Sequence, residues 1–327
     1  MSGVDRSDAH PAVPYAGAMP GPLALALDFG GTKLETALID SDGALVPGSR
    51  HRRPTGPAAT SDELAARVAE AIRASLDAMP VGAALAGAGI GAAGPVDLAE
   101  GTVSPLNVPA WRGYPLAGLV SSLVPGVPVT LRIDGLCIAL AEHWIGAGQG
   151  AGNFLGMIVS TGVGGGLLLG GRAAPGTTGN GGHIGHVEVG GHDEPCACGG
   201  RGCLEAIASG PNSVAWARRH GFTGATGEDL AAAYAAGDAV ARAAVERAGT
   251  ALGRTIGSAA NLVDLDRVAI GGGFSRVSPD LLEIARRALA DRSDFGFVRR
   301  VEIVASALSD EGPLIGAGAL VHRPDRI

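Results

Sequence analysis

The chain has 327 residues, a formal charge of -7, 54 glycines and only 4% aromatic residues. That length carries one large or two medium domains with cores that need no staples. The acidic balance and scarce aromatics argue against a nucleic-acid partner, and no run of roughly 18 apolar residues escapes charge or glycine, so no membrane span is expected.

The opening "MSGVDRSDAHPAVPYAGAMPGP" has neither a basic region nor a long apolar run and does not read as a signal peptide. Residues 1–21 are expected to form a disordered tail, and the protein to be cytoplasmic. Residues 23–39, "LALALDFGGTKLETALI", then read as strand, tight turn and strand. Asp28 ends the first strand, and Gly30, Gly31 and Thr32 form a turn whose N–H and hydroxyl groups suit phosphate oxygens. Asp28 is a candidate to hold Mg2+ through water; on its own the stretch reads equally as a plain hairpin.

Residues 61–78 read as an amphipathic helix with Ser61 as N-cap. "AGAGIGAAGPVD" reads as a buried strand running into a Gly-Pro turn, and "VPVTLRID" as a strand with "GLCIALAEHWIG" opening a helix at its end. Asp134 therefore stands at a strand-to-helix junction, where it reads as either a helix N-cap or a general base.

Residues 154–172, "FLGMIVSTGVGGGLLLGGR", repeat the N-terminal device, with Thr161, Gly162, Gly164 and Gly165 at the turn. Two copies point to two related α/β domains facing each other, and the spacing is not that of a P-loop. In "GHIGHVEVGGHDEPCACGGRGCLE", His186, Cys196, Cys198 and Cys203 supply the ligand set of a closed tetrahedral zinc site, the other possibility being free buried thiols. Such a zinc is structural, but it fixes where the second nitrogen of His186 points, and Glu205 follows on the same wall. Residues 228–260 read as two helices, "RVAIGGGFS" as a strand into the turn Gly271, Gly272, Gly273, and "PLIGAGALVHR" as a final helix.

Together, "LDFGGTK", "GPVD", "NVPAW", "STGVGGG", "IGH" before "CACGGRGCLE", and "IGGGFS" resemble the ROK family of bacterial sugar kinases over residues 23–321. The resemblance implies the two-lobed actin-like, hexokinase-like ATPase fold with a central cleft. It implies ATP as cofactor, with Asp28, Gly30, Gly31, Thr32 and Lys33 as first phosphate loop and Thr161 to Gly166 as second. Gly271 to Gly273 lie near the adenosine, and His186, Cys196, Cys198 and Cys203 hold zinc. Gly94, Asn107, Ile133, Asp134, His183, His186 and Glu205 face the acceptor, a sugar or sugar-like polyol. Asp134 takes the base role, accepting the proton of a primary hydroxyl as that oxygen attacks the γ-phosphoryl group in line. Lobes of residues 22–143, completed by helix 310–324, and 144–309, with the zinc loop 183–205, are expected, as is a homodimer or homotetramer.

Two positions depart from the family. Its glucose-using members place Asn where this chain has Ile133 and Glu where it has His183, and both bind sugar hydroxyls. Each unpaired hydroxyl costs roughly 1–3 kcal/mol, so the two losses weaken glucose by on the order of 10² or more. The expected acceptor is a modified hexose: an amino sugar such as kanosamine, or a C7 cyclitol of the valiolone type, as used in antibiotic biosynthesis. Loss of a Glu disfavours a cationic amine unless Asp134 or Glu205 compensates, whereas an apolar wall at Ile133 accepts a carbocycle. Alternatives are an ordinary glucokinase and a binding-only pseudokinase; a repressor is disfavoured because about 22 residues precede the first strand, too few for a DNA-binding domain.

Overall fold

The computed structural model describes residues 21–308 and 310–327, so the expected tail lies almost wholly outside the described residues. The first half contains β1 (Leu23–Phe29), β2 (Lys33–Ile39), β3 (His51–Pro54), α1 (Ser61–Asp77), β4 (Leu85–Ala92), β5 (Val96–Asp97), β6 (Thr102–Val103), α2 (Leu116–Leu123), β7 (Val129–Ile133) and α3 (Asp134–Ile145). The second contains β8 (Phe154–Val159), β9 (Val163–Leu169), β10 (Arg172–Ala173), α4 (Leu204–Ala208), α5 (Gly210–Arg219), α6 (Gly227–Ala235), α7 (Ala239–Val263), β11 (Arg267–Gly271), α8 (Leu281–Ala290), α9 (Gly296–Arg299), β12 (Glu302–Ala305) and α10 (Gly312–His322).

The repeated strand-turn-strand device grows into two five-stranded sheets of one design, β3-β2-β1-β4-β7 and β10-β9-β8-β11-β12. In each, a hairpin supplies the antiparallel neighbours, and the first hairpin strand pairs in parallel with one strand that arrives through helices, which pairs in parallel with the next. All seven residues of β1 are buried, which accounts for its near-continuous apolar run. Among the described residues no helix is long and apolar enough to cross a membrane.

The cap of α1 is Thr60, not Ser61. Thr60 accepts from Glu63 N–H (3.3 Å) while the Glu63 carboxylate accepts from Thr60 N–H (2.9 Å), a reciprocal capping box. The Ser61 hydroxyl instead accepts from Trp111 Nε1 (3.2 Å).

Glycine richness serves packing as well as turns. A methyl group on Gly166 would stand 2.3 Å from Leu136 Cα, and one on Gly156 2.6 Å from Ala139 Cα, so α3 lies directly on β8 and β9. A methyl on Gly316 would fall 1.8 Å from the Cys137 carbonyl oxygen, bringing α10 equally close to α3. The helix that opens with Asp134 is thereby fixed to both sheets.

Glu142 secures the far end of α3. Its buried carboxylate accepts from the N–H groups of Ala147 (2.7 Å), Ala307 (3.2 Å) and Leu308 (3.0 Å) and from the Ser306 hydroxyl. Glu142→Ala removes the shared acceptor of several half-buried donors and is expected to destabilise by about 2 kcal/mol. Urea unfolding measures this, and a change below about 1 kcal/mol would remove Glu142 from that role.

Candidate active site

Between the sheets lies a cavity of about 280 Å³. Of the residues expected to form a site, Gly31, Thr32, Gly94, Asn107, Ile133, Asp134, Thr161, Gly162, Gly164, Gly165, His183, His186 and Glu205 line it. They arrive from the β1–β2 and β8–β9 hairpins, the end of β4, the β6–α2 loop, the β7–α3 junction, and the loop before α4 with its first turn.

Asp134 is the first residue of α3, after Ile133 at the cap position. Its Oδ1 accepts from Gly135 N–H (2.7 Å), a contact to the next residue rather than the reach of an N-cap to the second or third amide. Burial pushes its carboxyl up to about 6, opposed by that N–H. Asp28, at the end of β1 and 7% exposed, is pushed up to about 7, first by burial and then by the carboxylate of Asp134. Two mutually repelling acids that change charge near neutrality thus stand together, Asp134 in the cavity lining at the tip of a helix and Asp28 behind it.

The remaining groups are placed by close contacts. A methyl on Gly31 would lie 2.9 Å from Asn107 Cβ, so the first turn passes directly over Asn107. Glu205 Oε2 accepts from Val163 N–H (2.9 Å), tying the start of α4 to the second turn. At Gly94 a methyl would stand 3.0 Å from His183 Cε1 and Nε2 and 3.6 Å from Ile133 Cγ2. Ile133 and His183 therefore meet over one glycine. Burial, and then His186, hold the His183 imidazole below its ordinary value.

His186 links this cavity to the thiols. Its Nδ1 lies 3.7 Å from Cys196 Sγ, Cys198 and Cys203 Sγ are 3.7 Å apart, and all four ligand atoms fall within 4.8 Å of one another. Bonds of about 2.1–2.3 Å to a tetrahedral zinc need ligand separations near 3.5–3.8 Å, so the donor set fits that ion. With Nδ1 on the thiol side, Nε2 is left for the cavity.

Several expected residues stand outside the lining. Lys33 turns onto Glu35 (2.5 Å), whose carboxylate Arg50 and Arg52 also approach at 3.0 Å. Burial acts to raise the Glu35 carboxyl, but these three cations hold it below its ordinary value. Gly30 opens the first turn, its N–H donating to the Lys33 carbonyl (2.9 Å), and Asp28 lies behind it near the end of β1. Gly272 and Gly273 flank the second: a methyl on Gly272 would lie 2.5 Å from the Val159 carbonyl oxygen, and one on Gly273 3.6 Å from Ser160 Oγ. Gly271 lies deeper, against Ser306. Ser160 and Val163, within the second phosphate turn, and Ala93, Leu106, Ile158 and Ala197, which the sequence does not single out, complete the lining. The last four each adjoin a motif, and that adjacency is their only signal in the sequence.

The ROK family model matches residues 24–324. The chain is 30% identical over 320 residues to the glucokinase of Thermotoga maritima, covering 93% of this chain and 98% of that one. It is 35% identical over 276 residues to the kanosamine kinase of Amycolatopsis mediterranei (83% and 86% covered) and 31% identical over 301 residues to the N-acetylmannosamine kinase of Escherichia coli (91% and 98%). The structure of a ROK family glucokinase from Streptomyces griseus in complex with glucose and AMPPNP superposes with a TM-score of 0.78, at 28% identity over 92% of this chain and 99% of that one. Matching in family, fold and full-length relatives, the chain belongs to the ROK family and is a sugar kinase, a phosphotransferase with a hydroxyl group as acceptor.

Proposed function

We propose that this kinase phosphorylates the primary hydroxyl of a modified hexose, an amino sugar such as kanosamine, rather than glucose. The observation that carries it is the meeting of Ile133 and His183 over Gly94, which puts a methyl group and a neutral imidazole on the acceptor wall. The kanosamine kinase relative supports an amino sugar, and the carboxylates of Asp134 and Glu205 offer an amine the negative partners lost with a Glu at 183. A C7 cyclitol is the second reading, favoured by the Ile133 side chain as a surface for a carbocycle.

Asp134 accepts the proton of the attacking hydroxyl, its value near 6 leaving it ionised at neutral pH yet basic enough to take a proton. The turns at Gly30–Thr32 and Thr161–Gly165 cradle the phosphates of ATP, and Gly271–Gly273 mark the adenosine side. Lys33 contributes through its ion pair with Glu35, which braces β2 behind the first turn. Asp28, a buried carboxyl beside Asp134, would hold Mg2+ through water, and the ion would neutralise phosphate charge. The lobes, 22–143 with the C-terminal helix and 144–309, close on the acceptor and exclude water. A homodimer or homotetramer in the cytoplasm completes the proposal.

An ADP-release assay across glucose, N-acetylmannosamine, glucosamine, kanosamine and valiolone epimers tests the acceptor, with turnover of kanosamine or a cyclitol expected. Silence on every one would favour a binding-only protein. For the thiol cluster, Cys198→Ser should lower bound zinc from about one equivalent per chain and lower Tm. Elemental analysis and a melt check this; unchanged metal content would remove Cys198 from the ligand set, and a wild-type protein without zinc would leave the cysteines as free thiols.

A further inference from the structure

The segment between β10 and His183 crosses from the second sheet to the first. Its base is pinned to β9, where Ala174 N–H donates to the Leu167 carbonyl (2.8 Å) and a methyl on Gly182 would stand 3.1 Å from Gly166 Cα. Its tip lies on β5 and the loop beyond. Asn180 Oδ1 accepts from Val96 N–H (2.9 Å) and Nδ2 donates to the Val96 carbonyl (2.8 Å), the two bonds a neighbouring strand would make. On either side, a methyl on Gly179 would fall 2.4 Å from Leu98 Cγ, and His183 lies over Gly94. Residues 179, 180 and 183 thus run against 98, 96 and 94.

We infer that Asn180 is a positioning residue for the acceptor. Its two bonds to Val96 hold the Gly94 turn against the His183 wall across the cleft, and so set the width of the acceptor pocket. Val96 is 5% exposed, so without Asn180 its N–H and C=O lose their partners in a place water reaches poorly. The two phosphate turns belong to other loops, and ATP binding does not depend on this contact. The inference rests on the acceptor pocket proposed above.

Asn180→Ala is expected to raise the acceptor KM about tenfold while the ATP KM changes less than about twofold and kcat less than about threefold. Asn180→Asp keeps the acceptor for Val96 N–H and loses the donor, so it should fall between wild type and Ala. The acceptor used is whichever of glucose, N-acetylmannosamine, kanosamine and valiolone the wild type turns over best. Equal rises in both KM values, or no rise in either, would overturn the assignment. If the wild type turns over none of the four, the proposed function falls instead. The Asn180–Val96 contact is then decided by hydrogen exchange: faster exchange at the Val96 amide and at residues 182–183 in Asn180→Ala supports its positioning role, and unchanged exchange there overturns it.

Discussion

Asp134→Asn should lower kcat by about 10³ while leaving the acceptor and ATP KM values within a few-fold of wild type. Asn keeps the volume and the hydrogen bond to Gly135 N–H but cannot take the proton of the attacking hydroxyl. In the wild type the base must be ionised, and burial places its value at about 6. The rate should therefore fall as pH drops through about 6, below a first decline near 7 as Asp28 gains its proton. Stability moves oppositely. A carboxyl whose folded value exceeds its unfolded 3.8 gives stability that is full below about 3.8 and lost as pH rises through about 6. Asp134→Asn should accordingly be the more stable protein at pH 8 and show no such gain at pH 4, in thermal melts beside the rate assay. An inactive variant of unimpaired stability would place the loss in chemistry. Unchanged ATP turnover would remove Asp134 from the base role.

The second large effect concerns selectivity. Ile133→Asn with His183→Glu should raise kcat/KM for glucose by on the order of 10², since each restored partner recovers roughly 1–3 kcal/mol for a sugar hydroxyl otherwise unpaired. The same pair should reduce activity on the modified acceptor. Because both side chains meet over Gly94, their effects are expected to be non-additive: either substitution alone leaves a polar group against the other's unsuited neighbour. Steady-state kinetics of the two single variants and the double one measure this coupling, and strict additivity would argue that the positions act separately.

Much of this was legible because its signals are local. A strand, Gly-Gly-Thr and a strand specify a hairpin whatever surrounds them, and the twin motif at Ser160–Gly166 announced a second sheet of the same order. Three cysteines within eight residues and a histidine ten positions earlier than the first also needed no tertiary context, and their ligand atoms do converge. Asp134 does stand at the β7–α3 junction, but sequence alone does not separate its contact to Gly135 from an N-cap.

What escaped depends on distant partners. Lys33 looks like a phosphate ligand until Glu35, flanked by Arg50 and Arg52, is seen to hold it. Glu205 reads as a free acid facing the acceptor, yet one of its oxygens ties down Val163, 42 positions away. Ser61 and Thr60 are equivalent cap candidates in sequence, and the choice falls to Thr60 because Glu63 returns the bond. Glycines such as Gly156 and Gly316 carry no turn signal; the helix backbone lying on them is what requires their small size.

The most direct test is the ratio of kcat/KM for kanosamine to that for glucose, measured on the wild-type enzyme with ATP and Mg2+. A ratio of about 10² or more is expected, from the hydroxyl partners that Ile133 and His183 do not supply. A ratio near one, with strong glucose turnover at low concentration, would contradict it and return the protein to the ordinary glucokinases.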